Sequence, residues 1–342
     1  MVGHGIIVVG ASAGGVEALT KLVAGLPPDL PAALFVVLHI SRQGTSVLPS
    51  ILTRAGSLKA IHPIDGTPIQ HGQIYVAPPD RHLLVKRGYI HLARGPQENR
   101  HRPAIDPLFR TAARVYGPQV VGVILSGTLD DGTAGLVAVK IRGGVAVVQN
   151  PDEALFCGMP RSAIENVEIN YVLPVADMAA VLVRLAYEPI KEEGVNPVSS
   201  EMEIESDMAE LEQSATHKDE RPGTPSAFAC PECGGVLWEI KERESNLLRF
   251  RCRVGHAYTA ESLLADQSEA LEDALWSALR ALQESAALTR RMAKRAGDRN
   301  QKFSAERFEN QAQEAEQRAE VIRQVLLNGT NRDDEQAPPK EA

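Results

Sequence analysis

An α/β fold with a doubly wound, mostly parallel sheet is predicted by three stretches that share one grammar. Ile6 to Val9, Ala33 to Leu38 and Val120 to Leu125 are unbroken apolar runs of strand length, as expected of strands covered on both faces. Each ends in polar or glycine-punctuated residues, and the first and third lead into helical patterns. A small zinc ribbon and an α-helical hairpin are predicted C-terminal to this domain.

The first run passes into Gly10-Ala11-Ser12-Ala13-Gly14-Gly15, and an amphipathic helix then begins. A serine on a tight turn between strand and helix has two chemical uses. It can attack a carbonyl while helix N-terminal amides hold the oxyanion, or the same amides can cradle a phosphate. The second run finishes at His39. Functional groups gather at the carboxyl ends of parallel strands, so His39 would share an edge with Ser12; a capped loop histidine is the plain alternative. The third run ends in Ser126-Gly127-Thr128-Leu129-Asp130-Asp131-Gly132. Asp130 or Asp131 could simply cap the next helix. Yet a serine needs a base to become nucleophilic, and the resulting imidazolium needs a carboxylate to orient it. Three strand ends carrying Ser, His and Asp meet that requirement.

These blocks, with Ile74-Tyr75-Val76-Ala77-Pro78-Pro79-Asp80, Arg102-Pro103-Ala104-Ile105-Asp106-Pro107-Leu108-Phe109 and Gly158-Met159-Pro160-Arg161, resemble the catalytic domain of CheB, the chemotaxis protein-glutamate methylesterase. The resemblance covers residues 3 to 187, with the motifs in the family's order. It implies Ser12 as nucleophile, His39 as general base and Asp131, directly before Gly132, as the orienting acid. The backbone amides of Ala13 and Thr128 are the candidates to hold the oxyanion. It further implies hydrolysis of glutamyl methyl esters on chemoreceptors, releasing methanol, and deamidation of receptor glutamines. Two departures stand out. The family's usual Thr-Gly-Met-Gly-x-Asp-Gly loop reads Ser126-Gly127-Thr128-Leu129-Asp130-Asp131-Gly132 here, with Leu129 in the place of a glycine. The family's usual N-terminal receiver domain is not seen before the first strand, so control is expected from expression, from the C-terminal region or from a receiver-domain protein in trans.

The 342-residue chain has room for about two domains. A net charge of −8 argues against a nucleic-acid partner, which would call for a basic face. No apolar run approaches membrane-spanning length and no basic leader opens the chain. Four cysteines, three of them clustered, fit a reducing cytoplasm rather than a disulfide framework.

The expected organisation is a catalytic domain over 1–190, an acidic disordered linker over 191–226, a zinc-ribbon-like module over 227–258, a helical hairpin or coiled coil over 259–327 and a disordered tail over 328–342. Between Glu192 and Glu220, ten acidic residues face a single lysine with no aromatics, which cannot bury enough apolar surface to offset ordering entropy. Such a linker would decouple the C-terminal region, so the catalytic geometry is expected to survive metal removal. Cys230 and Cys233 form a C-x₂-C pair; after eighteen intervening residues Cys252 and His256 form C-x₃-H. Two ligand pairs on turns, separated by a small hairpin, are the pattern of a closed structural zinc site; no cofactor is expected for catalysis. Leu264, Leu271, Leu275, Leu279 and Leu282 recur at helical spacing, and a second helix after Gly297 would fold back on the first or pair with another chain.

Two functions remain open on this reading. One is a serine esterase and amidase acting on methyl-accepting chemoreceptors. The other is a catalytically silent receptor- or nucleotide-binding module that docks through the zinc ribbon and helices. The nucleotide version is weakened because Ser12 stands where the middle glycine of G-x-G-x-x-G would be.

Overall fold

The computed structural model describes residues 3–190, 197–210, 223–241 and 247–333. Seven strands form one sheet in the order β3-β4-β2-β1-β7-β8-β9. They are β1 (Ile6–Ala11), β2 (Ala33–Leu38), β3 (Lys59–Ile61), β4 (Gln73–Val76), β7 (Val120–Ile124), β8 (Val145–Gln149) and β9 (Tyr171–Leu173). Every pairing is parallel, so the expected mostly parallel sheet is wholly so.

Strand alternation sends β1 into two cores. Ile7, Val9 and Ala11 pack with α1 (Gly15–Ala24), α2 (Leu48–Ala55) and α6 (Val175–Tyr187). Ile6 and Val8 join the opposite core, built from α3 (Ile105–Tyr116), α4 (Thr133–Ile141), α5 (Gly158–Asn166) and the antiparallel hairpin of β5 (His82–Lys86) and β6 (Tyr89–Ala93). Burial on both faces explains why the strands read as continuous apolar runs. The chain reverses direction across the sheet at β1, which lies between β2 and β7. In such folds the crevice at the strand carboxyl ends is the place for a site.

The segment expected as a disordered linker departs from that expectation. Within it lies a helix, α7 (Ser200–Ala209), capped by Ser199, whose hydroxyl accepts from Met202 N–H at 3.2 Å. The acidic count hides the reason. Met202 is buried in the second core, and Glu205, though acidic, is buried against Arg249 at 2.7 Å and Arg251 at 3.2 Å. Residues 191–196 and 211–222, the rest of the acidic run, lie outside the described residues.

Four antiparallel strands come next, β10 (Thr224–Ala229), β11 (Val236–Lys241), β12 (Leu248–Cys252) and β13 (Ala257–Thr259). Their small core is Leu237, Phe250, Tyr258 and Leu263 with Cys230 and Cys252. This module belongs to the same compact unit as the α/β domain, Met1–Leu264. The module is therefore packed with the α/β domain rather than held apart from it.

The second unit begins at Ala265. It contains most of α8 (Ala260–Asp298) and all of α9 (Lys302–Asp333), joined through Asn300 at φ 60°. The helices pair through Leu279, Ala319 and Leu326, flanked by Leu275, Leu282 and Ile322, and Arg290 meets Glu316 at 2.5 Å. The hairpin is thus packed within one chain. Its second helix runs to Asp333, past the expected start of a disordered tail at 328; residues 334–342 lie outside the described residues. Among the described residues no helix is long and apolar enough to cross a membrane.

Candidate active site

The three strand ends that carry Ser12, His39 and the Asp130-Asp131 pair are neighbours in the sheet, because β2, β1 and β7 are adjacent. Ser12 comes directly after β1, and its N–H donates to Ser126 O at 2.9 Å. The turn is held from the facing loop. Ser126 donates its hydroxyl to Ala13 O at 2.8 Å and accepts from Phe156 N–H at 3.0 Å. Gly14 sits at φ +71°, where a side chain would also meet Ser126 and Leu155. A Cβ on Gly127 would fall 2.9 Å from Ser12 Cβ and into Met159. The strand-β7 loop thus presses its backbone against the serine, and only glycine permits that approach. The candidate oxyanion residues, Ala13 and Thr128, come directly after Ser12 and Gly127.

His39 Nε2 lies 2.7 Å from Asp131 Oδ2, with both side chains almost fully buried. Asp130, the other candidate acid, does not reach it: Asp130 Oδ1 accepts from the Thr259 hydroxyl at 2.7 Å. Asp131 Oδ2 also accepts from Ile105 N–H at 2.7 Å, and Asp131 Oδ1 accepts from Asn99 Nδ2 at 2.9 Å and Asp106 N–H at 3.3 Å. Burial works against the Asp131 carboxylate, yet the hydrogen bond and charge of His39 and the Ile105 amide hold its pKa well below the usual range. Neighbouring carboxyls move the other way. Burial and the charge of Asp131 push Asp106 up. Burial pushes Asp130 up to about 7, against the Thr259 hydrogen bond and with the charges of Glu261 and Asp131 adding to the rise.

With Nε2 committed to Asp131, the remaining His39 nitrogen is Nδ1, which is buried and has no hydrogen-bond partner among the described residues. No hydrogen bond joins it to Ser12 in this structure. His101 stacks on the His39 ring, centroids 3.5 Å apart and planes 14° apart. Burial and the charge of His39 hold His101 down to about 3, so it is a neutral platform near pH 7. Leu129, which stands where the resembled family carries glycine, sits at φ +57°, an arrangement costing roughly 1–2 kcal/mol for a residue with a Cβ. Leu129 thus takes a backbone conformation that glycine adopts without that cost.

His101, Asn99 and Asp106 are site residues that sequence reasoning does not single out. Asp106 lies in the Arg102–Phe109 motif and accepts from Gly132 N–H at 3.0 Å and Gly135 N–H at 2.6 Å, bracing the turn after Asp131. Asn99 and His101 sit in Glu98-Asn99-Arg100-His101-Arg102, at the edge of that motif, and their polar density is the signal that could have found them.

Cys230, Cys233, Cys252 and His256 come together in a separate cluster, with one donor atom from each within 4.8 Å of the others. His256 Nδ1 is 3.6 Å from Cys230 Sγ and 3.5 Å from Cys252 Sγ, and Cys233 Sγ is 3.6 Å from Cys252 Sγ. A tetrahedron with Zn–S bonds of about 2.3 Å has edges of roughly 3.8 Å, so the donor set fits zinc. The other His256 nitrogen, Nε2, faces Glu232 Oε2 at 3.0 Å, the carboxylate support that metal-bound histidines usually have.

A doubly wound α/β domain with a serine turn and a histidine–aspartate pair on adjacent strand ends defines a serine-hydrolase class of protein. A family model for CheB methylesterase matches residues 7–182, slightly more than half of the chain. The crystal structure of the Thermotoga maritima CheB methylesterase catalytic domain superposes with a TM-score of 0.51 at 33% identity, covering 53% of this chain and 98% of that one. A Leptospira interrogans protein assigned as a protein-glutamate methylesterase/protein-glutamine glutaminase is 38% identical over 180 residues, 52% of this chain and 93% of its own length. A protein-glutamate methylesterase/protein-glutamine glutaminase of Anaeromyxobacter dehalogenans is 37% identical over 177 residues, and the match spans about half of either chain. The chain belongs to the CheB methylesterase family.

Proposed function

We propose that this protein hydrolyses glutamyl methyl esters on methyl-accepting chemoreceptors, releasing methanol, and deamidates receptor glutamines by the same acyl chemistry. The observation that carries the reading is the buried His39–Asp131 pair beside the Ser12 turn, in a chain of the CheB methylesterase family. In this reading the Ser12 hydroxyl attacks the ester carbonyl and gives its proton to His39 Nδ1, the ring nitrogen left free by Asp131. Asp131 stabilises the imidazolium, and backbone amides of Ala13 and Thr128 receive the oxyanion. His39 returns the proton to the departing methoxide, and water completes hydrolysis of the acyl-enzyme by the reverse sequence. The Ser12–His39 hydrogen bond would form on substrate binding, as catalytic contacts commonly tighten only in the complex.

Cys230, Cys233, Cys252 and His256 would hold a structural zinc. Three thiolates and an imidazole complete a tetrahedron and leave no open position for chemistry. A small four-stranded module with so slight a core draws its folding free energy from such an ion.

A serine-directed phosphonate tests the nucleophile. It should label Ser12, located by peptide mass, and labelling should slow at least about a hundredfold in His39→Ala. Labelling at another serine, or equal rates in the two proteins, would overturn the assignment.

A further inference from the structure

Residues 97–99 run alongside β13 and are joined to it by one parallel bridge. Asn99 N–H donates to Ala257 O at 2.8 Å and Ala257 N–H to Gln97 O at 3.2 Å, with Glu98 and Ala257 bridged in parallel. The backbone then enters the left-handed region at Asn99, φ 48°, which asparagine tolerates better than most residues. The residue is 3% exposed and its side chain is fully used. Its amide group donates to Asp131 Oδ1 at 2.9 Å and to Asp106 Oδ2 at 2.8 Å. Its carbonyl accepts from Thr259 N–H at 3.0 Å and from the Ser262 hydroxyl at 3.1 Å. Two donors and two acceptor positions exhaust an asparagine side chain. Half of them serve the catalytic domain and half the C-terminal module.

The surrounding contacts make this junction a fixed one. Glu98 is buried between Arg110 at 2.7 Å and Arg251 at 3.1 Å, so one carboxylate ties α3 to β12. Thr259 also gives its hydroxyl to Asp130. Without Asn99, Asp131 Oδ1 keeps the longer contact from Asp106 N–H at 3.3 Å, with the Asp106 carboxyl still close by. A carboxylate so released is free to rotate away from the orientation in which Oδ2 meets His39.

We propose that Asn99 is a positioning residue for Asp131, and that the C-terminal module built on β10 to β13 holds Asn99 in place through Thr259 and Ser262. The inference rests on Asp131 being the orienting acid. It makes the C-terminal module part of the esterase rather than an appended docking element. Polar partners one step removed from a reacting group commonly change activity by about 10–100-fold when lost, and that is the range at stake.

The test is steady-state hydrolysis of a glutamyl methyl ester peptide by the full chain. The proteins compared are wild type, Asn99→Ala, the pair Thr259→Val with Ser262→Ala, the three changes combined, and Asp131→Asn. Asn99→Ala should lower kcat about tenfold or more with KM within about twofold of wild type. The hydroxyl pair, which leaves the Thr259 amide bonded to Asn99, should lower kcat by about threefold or more. The combined protein should be no slower than Asn99→Ala alone, because both changes break one chain of contacts. Losses that multiply, or that appear in KM alone, would overturn the proposal. Should Asn99→Ala not fold, the hydroxyl pair decides: an unchanged kcat overturns it. Full activity in Asp131→Asn would instead remove the triad reading on which the proposal stands.

Discussion

Asp131 and Asp130 are adjacent in sequence and opposite in environment. Asp131 collects hydrogen bonds from His39, Ile105, Asn99 and Asp106, whereas Asp130 faces Thr259. Asp131→Ala should therefore reduce esterase turnover by several orders of magnitude and Asp130→Ala much less; the reverse ranking in kcat would contradict the assignment. Asp130 carries a pH prediction as well. Its folded pKa of about 7 lies above the ordinary value of 3.8, so folding favours its protonated form. The stability this contributes is complete below about pH 4 and is lost as pH rises toward 7 and beyond. The fall in Tm between pH 5 and pH 8 should be smaller in Asp130→Asn than in wild type, and an equal or larger fall would contradict the shift. Ser12 and His39 are legible in the sequence because each ends an apolar strand. The choice of Asp131 over Asp130 comes only from family resemblance. The polar density around Asn99 is visible in the sequence, but its pairing is not, because its partner Thr259 lies 160 residues away.

At the scale of elements, α7 shows how composition can mislead. The acidic run suggests a solvated linker, but Met202, Glu205, Ser206 and Met208 are buried. Glu205 is stabilised as a carboxylate, against its burial, by Arg249, Arg251 and Arg110. Charge counting over a window cannot see that basic partners arrive from β12 and α3. Removing one member of a buried ionic cluster leaves the others uncompensated, so Glu205→Ala should destabilise the Met1–Leu264 unit by about 3–5 kcal/mol, read from urea unfolding. A change under about 1 kcal/mol would mean the cluster behaves as exposed ion pairs do. The parallel strands are legible for the converse reason. Burial on both faces writes itself as continuous Val, Ile and Leu, whatever the rest of the chain does.

For the molecule as a whole, the consequence is coupling between the proposed metal site and the ester-cleaving site. The sequence alone suggests that catalytic geometry survives chelation, because a linker intervenes. With β13 paired to residues 97–99 and Thr259 bonded to Asn99 and Asp130, the opposite is expected. Elemental analysis should find one zinc per chain, and its removal should lower esterase kcat about tenfold or more. Full activity in metal-free protein would separate the two sites. The function itself has a direct test. Methanol release should be measured from a methylated chemoreceptor fragment, with wild type and Ser12→Ala at equal concentration. The account predicts turnover by wild type and a loss of more than about a thousandfold in Ser12→Ala. Equal methanol release by the two proteins, or none by wild type, would contradict it.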